Sequence, residues 1–220
     1  MSNTVITLDE VVAWILAYAR AISENRAMLT ELDAAIGDGD HGANMDRGCK
    51  AVSAKLQAGG TDISQVLKTT GMTLLSTVGG ASGPLYSTIF LQAAQACAGK
   101  TQLTLQDWIV MMDAAAKGVV ARGKAAAGDK TMLDALIPAV QALKDAAVAG
   151  LSLADALRAS AKAAEDGMEA TLPLIARKGR ASYLGERSAG HIDPGATSTY
   201  LLFKTAAAAL AQPQVQARKW

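Results

Sequence analysis

Aromatic side chains are scarce in this chain: three tryptophans, four tyrosines and two phenylalanines among 220 residues. Sheet-on-sheet folds draw on aromatic and β-branched residues. Half of this chain is hydrophobic, much of that alanine, so its composition disfavours a β-sandwich and favours close-packed helices. An excess of charge of either sign is also missing, with 21 Lys and Arg against 20 Asp and Glu. A net charge of +1 offers no electrostatic surface for nucleic acid or a membrane. No apolar run is long enough to span a bilayer; the stretch from Leu201 to Leu210 falls well short of about 20 residues. Met1-Ser2-Asn3-Thr4-Val5 lacks the basic and apolar regions of a signal peptide, so a cytoplasmic protein is expected. There are two cysteines, Cys49 and Cys97, without metal-ligand spacing, expected as reduced, buried thiols.

What is present is helical periodicity. Thr7-Leu8-Asp9-Glu10 reads as a capping box, after which Val11, Ile15, Ala19 and Ile22 mark one helical face. Further helices are expected from Gly42 to about Leu56, after Thr61-Asp62, from Pro84, from about Thr104 to Val120, and from near Thr131. The last two are expected from Ser152 to about Ala176 and from about Ala196 to Ala211. No alternating run demands a strand, and there is no internal repeat or linker. The expected fold is all-α: one domain over residues 1–211, an eight-helix antiparallel up-and-down barrel or bundle. Residues 212–220 are expected as a flexible tail.

The loops are unevenly endowed. Polar, glycine-rich loops at 37–44, 79–83, 122–131 and 178–195 alternate with plain connections near 57–61, 98–103 and 149–152. In an up-and-down bundle alternate loops emerge at the same end, so all four polar loops are expected to build one site.

The first loop is the most telling. Asp33, Asp38, Asp40 and His41 crowd the end of a helical pattern, where a helix dipole disfavours acids. Such a set needs a compensating cation, and oxygen-only ligands point to Mg2+ or Ca2+. Gly37-x-Gly39-x-x-Gly42 matches a dinucleotide fingerprint literally, but no strand precedes it and acids would repel a pyrophosphate. Asp38-x-Asp40 starts like an EF-hand, but Cys49 stands where the bidentate Glu belongs. In the second loop, Gly79-Gly80-Ala81-Ser82-Gly83-Pro84, Ser82 can cap a helix and the glycines suit either an anion site or tight helix packing. The third, Arg122-Gly123-Lys124 through Gly128-Asp129-Lys130-Thr131-Met132, approaches a Walker A loop, but Asp129 intrudes and no strand precedes it. It remains either a solvated connection or a loop closing over a nucleotide. The fourth is long enough to suggest function; it carries Arg180, Arg187 and His191, and Asp193-Pro194-Gly195 turns into the last helix.

Together the segments IGDGDHGANMDRG (36–48), GMTLLSTVGGASGPLYST (71–88), RGKAAAGDKTMLDAL (122–136) and KGRASYLGERSAGHIDPGATS (178–198) resemble the ADP-binding L-subunit family of dihydroxyacetone kinase. The likeness runs from about residue 7 to about 210. It implies an all-α barrel of eight antiparallel helices with a nucleotide, ADP or ATP, across one end. It implies that Asp33, Asp38 and Asp40 hold two Mg2+ ions and, with Arg180, form the catalytic group. His41, Gly42, Ala43, Asn44, Ala81, Ser82, Gly83, Gly123, Met132, Arg180, Asp193, Pro194 and Gly195 would line the nucleotide. It further implies a separate K subunit that holds dihydroxyacetone, and a phosphotransferase-system M subunit that rephosphorylates a resident ADP. The alternatives are an ATP-dependent L subunit of a related small-ketose kinase and a nucleotide-sensing regulatory module.

Overall fold

The computed structural model describes residues 5–57 and 60–211; the expected tail, 212–220, lies outside the described residues. Strand β1 (Val5–Thr7) leads into helix α1 (Leu8–Glu24). Thr7 caps α1 as its spacing requires: its hydroxyl accepts the Glu10 N–H, and the Glu10 carboxylate accepts the Thr7 N–H at 2.7 Å. The helical pattern does not continue unbroken to the acidic loop. It stops at Asn25, whose side-chain amide donates to the Ala21 carbonyl at 2.8 Å, and α2 (Arg26–Ile36) restarts beyond it. A short amide side chain competing for backbone partners is the physical reason.

Helices α3 (His41–Leu56), α4 (Ile63–Thr77) and α5 (Ser82–Ala96) follow. Strand β2 (Gln102–Thr104) then precedes α6 (Leu105–Gly123), α7 (Leu133–Val148) and α8 (Leu153–Glu169). A 3-10 segment at Arg180–Ser188 and α9 (Pro194–Leu210) complete the order. Helix α8 ends short of the expected Ala176. Pro173 disfavours helical backbone at the residue before it, so the connection to α9 is longer than the pattern suggests. The two strands, too short to leave a periodic signal, pair antiparallel with Ile6 opposite Leu103.

From α3 onward each helix packs on its successor, and α9 returns against α1, which packs on α3. Among the described residues the ring therefore has eight members, α1 and α3 to α9, with α2 as a ninth helix prolonging the first run. Its core includes Trp14, Tyr18, Tyr86, Phe90 and Trp108, all within 2% of full burial. Trp14 and Trp108 meet edge to face with centroids 4.9 Å apart, and the Trp14 indole N–H donates to the Leu202 carbonyl. Buried alanines such as Ala115, Ala135, Ala156 and Ala206 let helices approach closely. Gly167 does the same between α7 and α8, where a Cβ would lie 2.0 Å from the Asp134 carbonyl oxygen. Cys49 and Cys97 are buried free thiols, with burial pushing them up to about 12 and about 11.

Candidate functional site

The four polar loops meet at one end of the ring and line a common cavity. The first supplies Asp33, Asp38, Asp40 and His41, and the second Gly79 to Ser82. The third supplies Lys130, Thr131 and Met132, and the fourth Lys178 to Ala181 and Asp193 to Gly195. Gly123 lines a mostly apolar hollow that adjoins this cavity through Ala81, Leu85, Thr131, Met132, Lys178 and Gly179.

The chain's alternation aims the N-termini of α3, α5, α7 and α9 at this end. For α3, α5 and α7 the residues before the first turn are Asp40, Ala81 and Met132, and none makes a side-chain capping bond. The positive dipole ends of these helices lie at the cavity, which suits an anion, although the first N–H of α3 is already accepted by Asp33 and that of α7 by the Thr131 hydroxyl. Ser82, expected as the cap of α5, is instead its first residue, and its hydroxyl turns to His41.

Beside the N-terminus of α3 stands the acidic wall, which includes Asp40 at that helix's N-cap position. Asp33, in the last turn of α2, accepts the backbone N–H groups of Asp40 (2.8 Å) and His41 (3.1 Å) through one oxygen. Gly39, at φ 70°, allows the tight return that makes this possible. One carboxylate oxygen from each of Asp33, Asp38 and Asp40 lies within 4.8 Å of the others. Arg180 reaches across the cavity mouth to Asp38 at 3.1 Å. Three carboxylates answered by one guanidinium leave an excess negative charge on oxygen donors alone, which fits a hard divalent cation.

His41 is buried behind the wall, between Ser82 (Nδ1 to Oγ, 3.0 Å) and Ser198 (Nε2 to Oγ, 2.8 Å). Ser198 in turn lies 2.6 Å from the Tyr86 hydroxyl, which also meets Thr199. A polar chain thus runs from the cavity into the core. Burial holds the imidazole below its ordinary value against the opposing pull of Asp33 and Asp40, favouring the neutral ring. Ser198 also lies within hydrogen-bonding distance of the Pro194 carbonyl, one turn back on α9.

Asp193 caps α9 by accepting the Ala196 N–H at 2.7 Å. Burial pushes its carboxyl up to about 7, with Lys130 and backbone N–H groups opposing.

Not every residue implied by the resemblance faces the cavity. Gly42 and Gly83 serve packing: a Cβ would lie 2.2 Å from the Arg26 carbonyl oxygen at the first and 2.3 Å from that of Val78 at the second. Ala43 is half-buried outside the lining, and Asn44 accepts from Arg47 at 2.7 Å. Of the other candidates, Arg187 and His191 are exposed and outside the lining. Conversely, sequence patterns alone missed Lys130, Tyr86 and Ser198. The signal for Ser198 was three consecutive hydroxyl residues, 197–199, inside an otherwise apolar helix; nothing local marked Lys130.

A protein-family model described as the DAK2 domain matches residues 35–208. The chain is 48% identical over 205 residues to the PEP-dependent dihydroxyacetone kinase, ADP-binding subunit DhaL, of Escherichia coli (strain K12), covering 93% of this chain and 98% of that protein. It is 40% identical over 201 residues to the PTS-dependent counterpart of Lactococcus lactis subsp. lactis (strain IL1403), covering 91% and 96%. Among solved structures, the dihydroxyacetone kinase of C. freundii in complex with AMP-PNP and Mg2+ superposes with a TM-score of 0.66 at 28% identity. That match covers 90% of this chain and 33% of the longer kinase.

Proposed function

This chain belongs to the DAK2 domain family, and on that premise we propose that it is the nucleotide-binding L subunit of a dihydroxyacetone kinase. The observation that carries the proposal is the gathering, around one cavity, of an aspartate triad and the N-termini of α3, α5 and α7. Residues 1–211 act as one nucleotide-binding domain. Asp33, Asp38 and Asp40 would hold Mg2+. Such an ion, when bound, neutralises charge on the phosphates as the terminal group leaves.

The chain's own residues do the rest by positioning. The N-terminus of α5 receives phosphate oxygens, with Ala81 and Ser82 at its rim, and the dipole of α3 adds positive potential. His41, neutral and fixed between two serines, keeps the Ser82 hydroxyl oriented. Arg180, paired with Asp38 until phosphate is present, supplies mobile positive charge at the mouth. Met132, Leu85 and the hollow beside Gly123 offer an apolar seat for the base. The mouth stays open to an acceptor held by a partner, so no nucleophile from this chain is needed.

The partner is a K subunit that presents dihydroxyacetone, and the donor is a phosphotransferase-system subunit acting on a resident ADP in the cytoplasm. Both relatives above carry PEP- or PTS-dependent in their names, which supports that donor over free ATP. The test is reconstitution with a K subunit. Turnover is expected with the phosphoenolpyruvate-driven donor chain and catalytic ADP. Turnover with ATP alone would move the protein to the ATP-dependent branch, and none with either donor would defeat the kinase assignment.

A further inference from the structure

We infer that Lys130 is a positioning residue, whose buried ammonium holds in place the cavity wall that carries Lys178, Arg180 and Asp193. The inference rests on the nucleotide reading above. Lys130 is only 1% exposed. Its Nζ donates to the carbonyl oxygens of Thr171 (2.8 Å), Leu174 (3.1 Å) and His191 (2.5 Å). An ammonium has three protons, and here all three are used on main-chain oxygens. Burying a cation is costly unless its bonds are met, so this side chain is fixed by need as well as by packing.

The acceptors come from both ends of one segment. Residues 170–193, between α8 and α9, contain no α-helix and lie outside the eight-membered ring. Lys130 therefore ties the segment's departure from α8 to its return into α9. Main-chain bonds follow the same seam: Arg177 N–H to the Asp129 carbonyl at 3.0 Å, and Gly190 N–H to that of Leu172 at 2.8 Å. Thr171, one of the clamped residues, accepts the Asp193 N–H through its hydroxyl at 3.0 Å. The backbone of Lys130 sits at φ 61°, a conformation side-chain-bearing residues rarely adopt. Asp134 secures it, accepting the Thr131 N–H at 2.7 Å and the Gly128 N–H at 2.5 Å. The ring's helix-to-helix packing does not involve this ammonium, so its effect should fall on the wall more than on the fold.

The test compares K130M with S160A. Ser160 bonds the Ala139 carbonyl between α7 and α8, away from the cavity, and serves as a control for general loss of stability. Mg-ADP affinity and release rate are measured, together with Mn2+ binding to the nucleotide-free aspartate triad. K130M is expected to weaken Mg-ADP binding about tenfold or more, with Mn2+ affinity within about twofold of wild type. S160A is expected to stay within about twofold on both. If K130M does not fold, K130R takes its place, because a planar guanidinium cannot radiate three N–H donors from one nitrogen toward three carbonyls. Unchanged Mg-ADP binding in the variant, or an equal loss of Mn2+ binding, would overturn the inference. A wild-type protein that fails to bind Mg-ADP would defeat the nucleotide reading itself.

Discussion

The two ends of the barrel begin their helices differently. At the plain end, α1, α4, α6 and α8 start on Thr7, Asp62, Thr104 and Ser152, and each side chain accepts a leading N–H. At the cavity end only α9 is capped by its own N-cap side chain, Asp193; the N-cap residues of α3, α5 and α7 make no such bond, and the first N–H groups of α3 and α7 go to Asp33 and Thr131 instead. A cap of this kind typically contributes about 1 kcal/mol. Three of the four helices at the cavity end forgo a cap from their own N-cap side chain, and the aspartate triad and glycine-rich loops gather there instead. Stability is concentrated at one end and binding capacity at the other.

The sharpest way to break that contrast is to damage the plain end and look for an effect on binding. Trp108, fully buried in the first turns of α6, should cost about 3–5 kcal/mol as W108A. Denaturant unfolding measures the loss, and the folded fraction should still bind Mg-ADP with near-normal affinity. The reverse experiment is D38A. Asp38 is exposed, so its melting temperature should scarcely move, while reconstituted phosphoryl transfer should fall about a hundredfold or more.

A subtler test gives the cavity end the acid that the plain end uses. A81D places a carboxylate at the start of α5, where it complements the helix dipole but repels phosphate. Mg-ADP affinity should drop about tenfold, by titration calorimetry, with nucleotide-free stability unchanged or slightly raised.

A pH-dependent effect concerns the one helix at the cavity end capped by its own N-cap side chain. Burial pushes Asp193 up to about 7, so the folded chain keeps a proton that the unfolded chain releases near an ordinary carboxylate value. The folded state binds more protons in that window, and stability contributed by this group falls as pH rises from about 4 to about 7. D193N, which retains an acceptor for the Ala196 N–H, should remove that component. Its stability relative to wild type should therefore rise across that window, by up to about 1 kcal/mol per pH unit, and level off above it. A pH-independent difference between the two proteins would show that Asp193 ionises normally.

The division between the ends was largely legible in the sequence, because loop chemistry alternates along the chain and alternate loops of an up-and-down ring share an end. The aspartate triad was legible as a density of like charge that a turn does not need. What escaped were features decided by partners distant in sequence. Lys130 looked like one more charge in a solvated loop, since its acceptors at 171, 174 and 191 lie over forty residues away. Ser82 looked like a cap until His41 was found within reach of its hydroxyl. The break at Asn25 and the early end of α8 before Pro173 were local signals outweighed by strong apolar periodicity on either side.

The central claim is that this end of the barrel holds a nucleotide across the aspartate triad. The most direct measurement is the nucleotide content of protein purified and desalted in Mg2+, denatured and analysed by chromatography. About one ADP per chain is the predicted result, the signature of a resident cofactor. A chain that emerges empty and then binds neither ADP nor ATP in the presence of Mg2+ would contradict it.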